Sequence, residues 1–354
     1  MIKKTDYFYD FEEYYHKAAQ MELKSLNKDY APCDDLLMEN VHIYNATIRQ
    51  NAGFSNMLQD IMLGNNFTRT LPFTSMGIEL DFLPMEPKSL KSNVMHYLFL
   101  IHRLTGSGAS FEPDHGYRNT ILPKLLNMLT IRDMANFIKR YDKPIFTSKG
   151  NQIPPFNKPT KPYEKGGIEY LCEFAPRLAN EYLHWLLVKT LKTNEPVSIK
   201  EAVDWTLDWQ TKNGFKRYKF VLTAFVMDTA EYYPNLVDPK SHCYYGSNAI
   251  EALNLLFVNG TKLKKELFYD ECLELLCDRF KKPNGENNDP YSMEDVLCDY
   301  IRYVENYIPK WYLNNVPLGM MKNSSLITNH PKNLFNQYKD QQGDELTLWP
   351  TTNT

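Results

Sequence analysis

Apolar residues recur at three- and four-residue spacing along most of this chain, which is the period of an amphipathic α-helix. From Asp6 to Lys24 aromatic and acidic residues follow it. In SNVMHYLFLIHRL, Val94, Tyr97, Leu98, Ile101 and Leu104 share a face, and Ser92 is placed to cap the start. NTILPKLLNMLTIRDMANFIKRY continues the pattern, with Thr130 as the cap of its second piece. In the second half, GIEYLCEFAPRLANEYLHWLLVKTLK should break or kink at Pro176, which lacks a backbone donor. SIKEAVDWTLDW opens with Ser198 and Glu201 at capping-box spacing. FKRYKFVLTAFVMDTAEYY predicts a long apolar helix ending before Pro234. GSNAIEALNLLFVNG predicts a helix from the Ser247 cap to the Gly260 stop. KLKKELFYDECLELLCDRF predicts another, and SMEDVLCDYIRYVENYIP one from the Ser292 cap to Pro309.

Between these periodic runs lie polar, Pro- and Gly-bearing stretches. A polar region reaches to about Gly64, and TRTLPFTSMGIELDFLPMEPKS reads as loop or short strand. DKPIFTSKGNQIPPFNKPTKPYEKGG carries five prolines and three glycines, a length of irregular chain that usually serves function or linkage. The expected organisation is an N-terminal helical part (1–142), a Pro/Lys-rich connecting segment (143–167), a C-terminal helical part (168–321) and a polar tail (322–354). One continuous domain is the alternative. No internal repeat is visible. The fold class is mainly α, a multi-helical globular protein with a few short strands at most.

Composition sharpens this only in places. Hydrophobic residues make up 43% of 354 positions and charged residues 23%, enough apolar material for a sizeable core. The 24 tyrosines and 19 phenylalanines serve either packing or stacking on bases and sugars. The six cysteines show no C-x-x-C pair, so buried free thiols are expected rather than a disulfide framework or structural zinc. MIKKTDYFYDFEEYY has no apolar signal core and no run approaches a membrane span, so a cytoplasmic protein is expected. Net charge is −3, but from Arg118 to Lys165 ten basic residues face three acids. That segment, with Lys124, Arg132, Lys139, Arg140, Lys143 and Lys149, suits a phosphate backbone. A solvated Lys-rich loop is the plain alternative.

The densest chemistry lies in HRLTGSGASFEPDHGYRNT, residues 102–120. Glycines let a backbone approach a ligand closely, and hydroxyls and free amides bind phosphate oxygens. His102, Arg103, Thr105, Gly106, Ser107, Gly108, Ser110 and Asn119 are candidate phosphate ligands, the arginines as bidentate clamps. Asp114, His115 and Arg118 are candidates for proton transfer and charge stabilisation. A Gly-rich helix–loop–helix connection is the structural alternative. A second cluster, SHCYYGSNAIEA, places Tyr244, Tyr245 and Asn248 at a helix N-terminus that favours anions. Packed tyrosines on a capped helix explain it equally well. Glu169, Glu173, Arg177 and Glu181, at four-residue spacing, read best as a surface ion-pair stripe. No Walker loop, dinucleotide fingerprint, HExxH or G-x-S-x-G motif is present, which disfavours metal and serine-hydrolase chemistry. No metal and no cofactor is expected.

At RLTGSGASFEPDHGYRNTIL, and more faintly at CYYGSNAIEALNLLF, about a tenth of the chain resembles the phage amino acid:DNA transferases, also called α-glutamyl/putrescinyl thymine pyrophosphorylases. A Lys-, Asn-, Tyr- and Ile-rich composition suits an AT-rich genome of the kind many phages have. The resemblance implies thymidine hypermodification in the host cytoplasm. A partner DNA kinase activates 5-hydroxymethyluracil in DNA as a pyrophosphate ester, and an amino acid or polyamine displaces the pyrophosphate. In that setting Arg103, Arg118, Thr105, Ser107 and the Gly106–Gly108 backbone would hold the leaving group. Asp114 or His115 would take the amine proton, and Tyr117, Tyr244 and Tyr245 would stack on a flipped base. A non-enzymatic helical DNA-binding protein, and an enzyme on free nucleotides or sugar phosphates, are the two alternatives.

Overall fold

A computed structural model describes residues 2–25, 47, 49, 90–104, 124–125, 128, 130–140, 170–215, 219–260, 262–282 and 285–304. About three-quarters of these residues are helical, so the fold is mainly α as the periodicity predicts. In chain order the elements are β1 (Ile2–Lys4), α1 (Tyr7–Ser25), α2 (Leu90–Leu104), α3 (Ile131–Arg140), a π-helical turn (Tyr170–Phe174), α4 (Ala175–Thr193), β2 (Val197–Ser198) and α5 (Ile199–Lys212). There follow α6 (Lys219–Tyr232), β3 (Val237–Asp238), α7 (Ser247–Leu256), β4 (Phe257–Asn259), α8 (Lys265–Arg279) and α9 (Pro290–Val304). The chain divides into two compact units, residues 54–244 and residues 1–53 with 245–354. The proposed connecting segment 143–167 and tail 322–354 lie outside the described residues.

In the 54–244 unit, α2 packs on α4 and α6, and α5 packs on α6. In α2 the apolar face read from the sequence is the buried one: Tyr97, Leu98, Ile101 and Leu104 are inaccessible. Leu178, Tyr182 and Leu186 of α4 are buried too. The helix changes from π to α at Pro176 while its backbone stays helical. The π turn ends at Phe174, and Pro176 sits in the first turn of α4, where a missing N–H costs nothing. Tyr97 Oη donates to the Leu171 carbonyl at 2.8 Å, and Gln210 Nε2 donates to Tyr170 Oη at 2.9 Å, so buried partners satisfy the irregular turn. Asn194 ends α4 in the left-handed region (φ 58°), its N–H bonded to the Thr190 carbonyl. Ser198 caps α5 as predicted, its Oγ accepting from the Glu201 N–H at 3.3 Å. The two-residue strands β2 and β3 pair in parallel, Val197 opposite Val237.

In the other unit, α9 packs on α7 and α8, and α1 lies against α7 and α9. Its core is aromatic. Phe11 meets Tyr300 edge-on at 5.1 Å, Tyr14 lies 5.1 Å from Tyr303, and Tyr15 lies 4.5 Å from Phe280. Such pairs stabilise beyond their buried area by about 0.5–1.5 kcal/mol each. For these tyrosines the packing role is the one the fold uses. β1 pairs antiparallel with β4, Lys3 opposite Val258.

Four boundaries differ from the sequence reading. α2 begins at Leu90, so Ser92 lies inside it; another hydroxyl residue, Ser89, directly precedes that start. Gly246, not Ser247, is the N-cap of α7. The same helix stops at Leu256 because Phe257–Asn259 is drawn into β-pairing with β1, so Gly260 ends a strand rather than a helix. Pro290, not Ser292, opens α9; proline is pre-set for the first helical position.

Candidate functional site

The segment 102–120 starts from the end of α2. His102 and Arg103 occupy its last turn and both are buried. Arg103 donates from Nε to Asp228 Oδ2 at 2.6 Å and from Nη2 to Asp228 Oδ1 at 2.5 Å. The two helices run antiparallel: Phe99 meets Tyr232 and Arg103 meets Asp228. His96, one turn deeper, lies 4.8 Å from the Tyr233 ring. A fork-to-fork pair this deep fixes both helix rotation and register. It also directs two of the guanidinium donors expected to hold a phosphate onto an internal carboxylate. Thr105, Gly106, Ser107, Gly108, Ser110, Asp114, His115, Tyr117, Arg118 and Asn119 lie outside the described residues, as do Lys143 and Lys149.

The second cluster divides at the unit boundary, which falls between Tyr244 and Tyr245. Tyr244 is half-buried. Its hydroxyl donates to Asp204 Oδ1 at 2.8 Å, and the Lys219 ammonium lies 3.3 Å above its ring. That ring face is a cation–π partner. Tyr245 donates to Asp270 Oδ1 at 2.5 Å and meets Tyr269 edge-on at 6.1 Å. Asn248 is half-buried in the first turn of α7.

The acceptor that a helix N-terminus favours is already present at α7, and it is a carboxyl from within the protein. Glu294 Oε1 of α9 accepts the Gly246 N–H at 2.8 Å and the Cys298 thiol at 3.4 Å. A Cβ on Gly246 would stand 3.1 Å from that oxygen, a tight approach that glycine avoids. Burial, with the neighbouring Asp295, pushes Glu294 up to about 7, against the lowering effect of the Gly246 and Cys298 bonds. Asp299 is likewise pushed up to about 7 by burial, although Arg302 at 2.9 Å opposes this. Arg49, itself buried, reaches Asp295 Oδ2 at 3.1 Å, and its N–H donates to Ser292 Oγ at 3.1 Å. The sequence reading missed this acidic cluster. The signal was there: Glu294 shares the period of Leu297, Cys298 and Ile301, so an acid stands on the apolar face of α9. Burial pushes the Cys172, Cys272 and Cys277 thiols up to about 12 and Cys298 well above its ordinary value, which keeps them protonated and unreactive.

The basic segment is described at Lys124, Arg132, Lys139 and Arg140, all exposed. Lys139 faces Glu173 at 3.4 Å. Arg177 lies 3.7 Å from Glu181, whose other oxygen accepts the Trp209 indole N–H at 2.5 Å. These pairs are about half exposed, so each contributes little. Among the described residues no group of His, Cys, Asp and Glu could hold a metal ion, and no helix is long and apolar enough to cross a membrane. Comparison with protein-family models, curated proteins and solved structures yields no match to this chain.

Proposed function

We propose that the chain is a DNA-base-modifying transferase that displaces pyrophosphate from an activated 5-hydroxymethyluracil in phage DNA. The neutral nitrogen of an amino acid or amine forms a bond to the exocyclic methylene carbon. The carbon–oxygen bond to pyrophosphate breaks, its electron pair leaving with pyrophosphate, and a base takes the amine proton. Asp114 or His115 is the assigned base, and Arg118 the assigned counter-charge to the leaving group. The observation that carries the reading is the rooting of the Gly-rich segment. TGSGAS follows directly on a helix end locked by the buried Arg103–Asp228 pair, and sites supported by rigid elements hold their geometry best. The enzyme would act in the host cytoplasm beside a DNA kinase.

The test is incubation of the protein with pyrophosphorylated hydroxymethyluracil DNA and a mixture of amines, followed by mass spectrometry of the digested nucleosides. An adduct is the expected product. Its absence with every amine, under conditions where DNA is bound, sinks the transferase reading; an adduct on free nucleotide alone transfers the activity to that substrate. A non-enzymatic DNA-binding role has one observation in its favour. With the Arg103 fork turned onto Asp228, the segment 102–120 has Arg118 as its other arginine. Arg118→Ala separates the two: loss of adduct with wild-type folding and DNA affinity favours the enzyme.

A further inference from the structure

Helix α3 is short, amphipathic and capped. Thr130 Oγ accepts the Asp133 N–H at 3.1 Å and donates to Asp133 Oδ2 at 2.7 Å, while Met134 and Ile138 bury the inner face. The outer face carries Arg132, Asn136 and Arg140, one turn apart, all exposed. At 100° per residue Asn136 sits in the middle of the exposed arc, with Arg132 to one side and Arg140 to the other. Among the described residues none of the three makes a hydrogen bond or ion pair, whereas the acid on this face, Asp133, is turned back into the cap. The B-DNA major groove, about 12 Å wide, admits an α-helix lengthwise, so side chains at either side of a central one face the two walls.

We propose that α3 is a DNA-reading helix: Arg132 and Arg140 hold the phosphates on the two sides of the major groove, and Asn136 reads an adenine edge between them. This deepens the transferase reading and rests on it only for the partner being DNA. The chemistry selects the groove. Arginine forks match phosphate oxygens, and an asparagine amide pairs bidentately with the N6 and N7 edge of adenine. Phosphate contacts set the register and the asparagine sets the preference. A duplex of RNA presents a deep, narrow major groove that side chains cannot read, so it is excluded as the occupant. The consequence for the reaction is a choice of context: modification would favour target bases at a fixed distance from an adenine.

The experiment uses the full chain and a labelled random-sequence duplex of about 20 base pairs. Fluorescence anisotropy is followed across a salt series, and bound DNA is selected and sequenced. Each phosphate contact contributes about 0.9 to the slope of log affinity against log salt, so Arg132→Ala with Arg140→Ala should lower that slope by about 1.8. Lys192→Ala, an exposed change elsewhere in the same unit, should leave it unchanged. Asn136→Ala should keep the slope and erase a preference for adenine at one position, worth roughly 5- to 150-fold in the wild type. All four substitutions are on exposed helix positions, and matching thermal melts confirm folding. A wild-type slope in the arginine double variant overturns the assignment. So do an unchanged base preference in Asn136→Ala, the absence of any preference in the wild type, and equal binding of duplex RNA. If the wild type binds no duplex DNA at all, the transferase reading falls as well. If α3 variants bind and modify DNA undiminished, only the assignment of α3 falls.

Discussion

Arg103 cannot stay buried without a partner. Removing one side of a buried ion pair strands the other charge away from water, which costs about 3–5 kcal/mol. Asp228→Ala should therefore lower unfolding stability by that amount in urea titration. Arg103→Met with Asp228→Leu should recover part of it, since neither charge of the pair is then left buried without the other. A neutral effect of Asp228→Ala would mean that the pair does not hold α2 to α6. Glu294 makes a prediction of opposite character. Its folded pKa of about 7 stands above its ordinary value near 4.5, so the folded state holds the proton more tightly than the unfolded chain. The stabilisation this gives is complete below about pH 4.5 and is lost as pH rises through about 7. Asp299 adds a contribution of the same sign. Melting temperatures of wild type and Glu294→Gln from pH 5 to pH 8 check this. The wild type should lose on the order of 2 kcal/mol more than the variant over that range, from a shift of this size. Parallel declines would remove Glu294 as the cause.

At the scale of elements, the cap of α3 is the most direct test. Thr130→Ala removes the oxygen that holds the Asp133 N–H and should cost about 1 kcal/mol, read from chemical denaturation. Because α3 is also the assigned DNA-reading helix, the same change should weaken duplex binding while leaving the salt slope intact. The legible parts of the fold were those set by local rules: the Thr130 and Ser198 caps, the irregularity at Pro176 and the buried face of α2. What escaped was decided by partners distant in sequence. Phe257–Asn259 continues a helical pattern, but β1 offers it a ladder about 255 residues away. Ser247 is the better cap by residue type, but Glu294 reaches the backbone of Gly246 from another helix. The candidate site was legible as residue types at one point in the sequence. The internal engagement of Arg103 was not, because it depends on Asp228, 125 residues on.

At the scale of the whole molecule, one unit is continuous in sequence and the other is not. A fragment of residues 54–244 carries α2 to α6 with their own core, so it should unfold cooperatively with a helical circular dichroism spectrum. A fragment of residues 245–354 lacks Phe8, Phe11, Tyr14 and Tyr15, whose rings fill the centre of that core. It should show little cooperative unfolding until residues 1–53 are supplied. Cooperative folding of the second fragment alone would show that α1 is dispensable. The separation of α1 from α7 has a further cost during translation. Roughly 220 residues must be synthesised between them, which at ribosomal speeds of about 5–20 residues per second takes about 10–45 s. Throughout that interval the nascent chain carries four aromatic side chains whose eventual neighbours do not yet exist. Phe8, Phe11, Tyr14 and Tyr15, buried in the finished unit, would stand exposed in that interval, and chaperones that cover apolar side chains are expected to dock on them. Yield in a cell should depend on those chaperones more than the finished protein's stability would suggest.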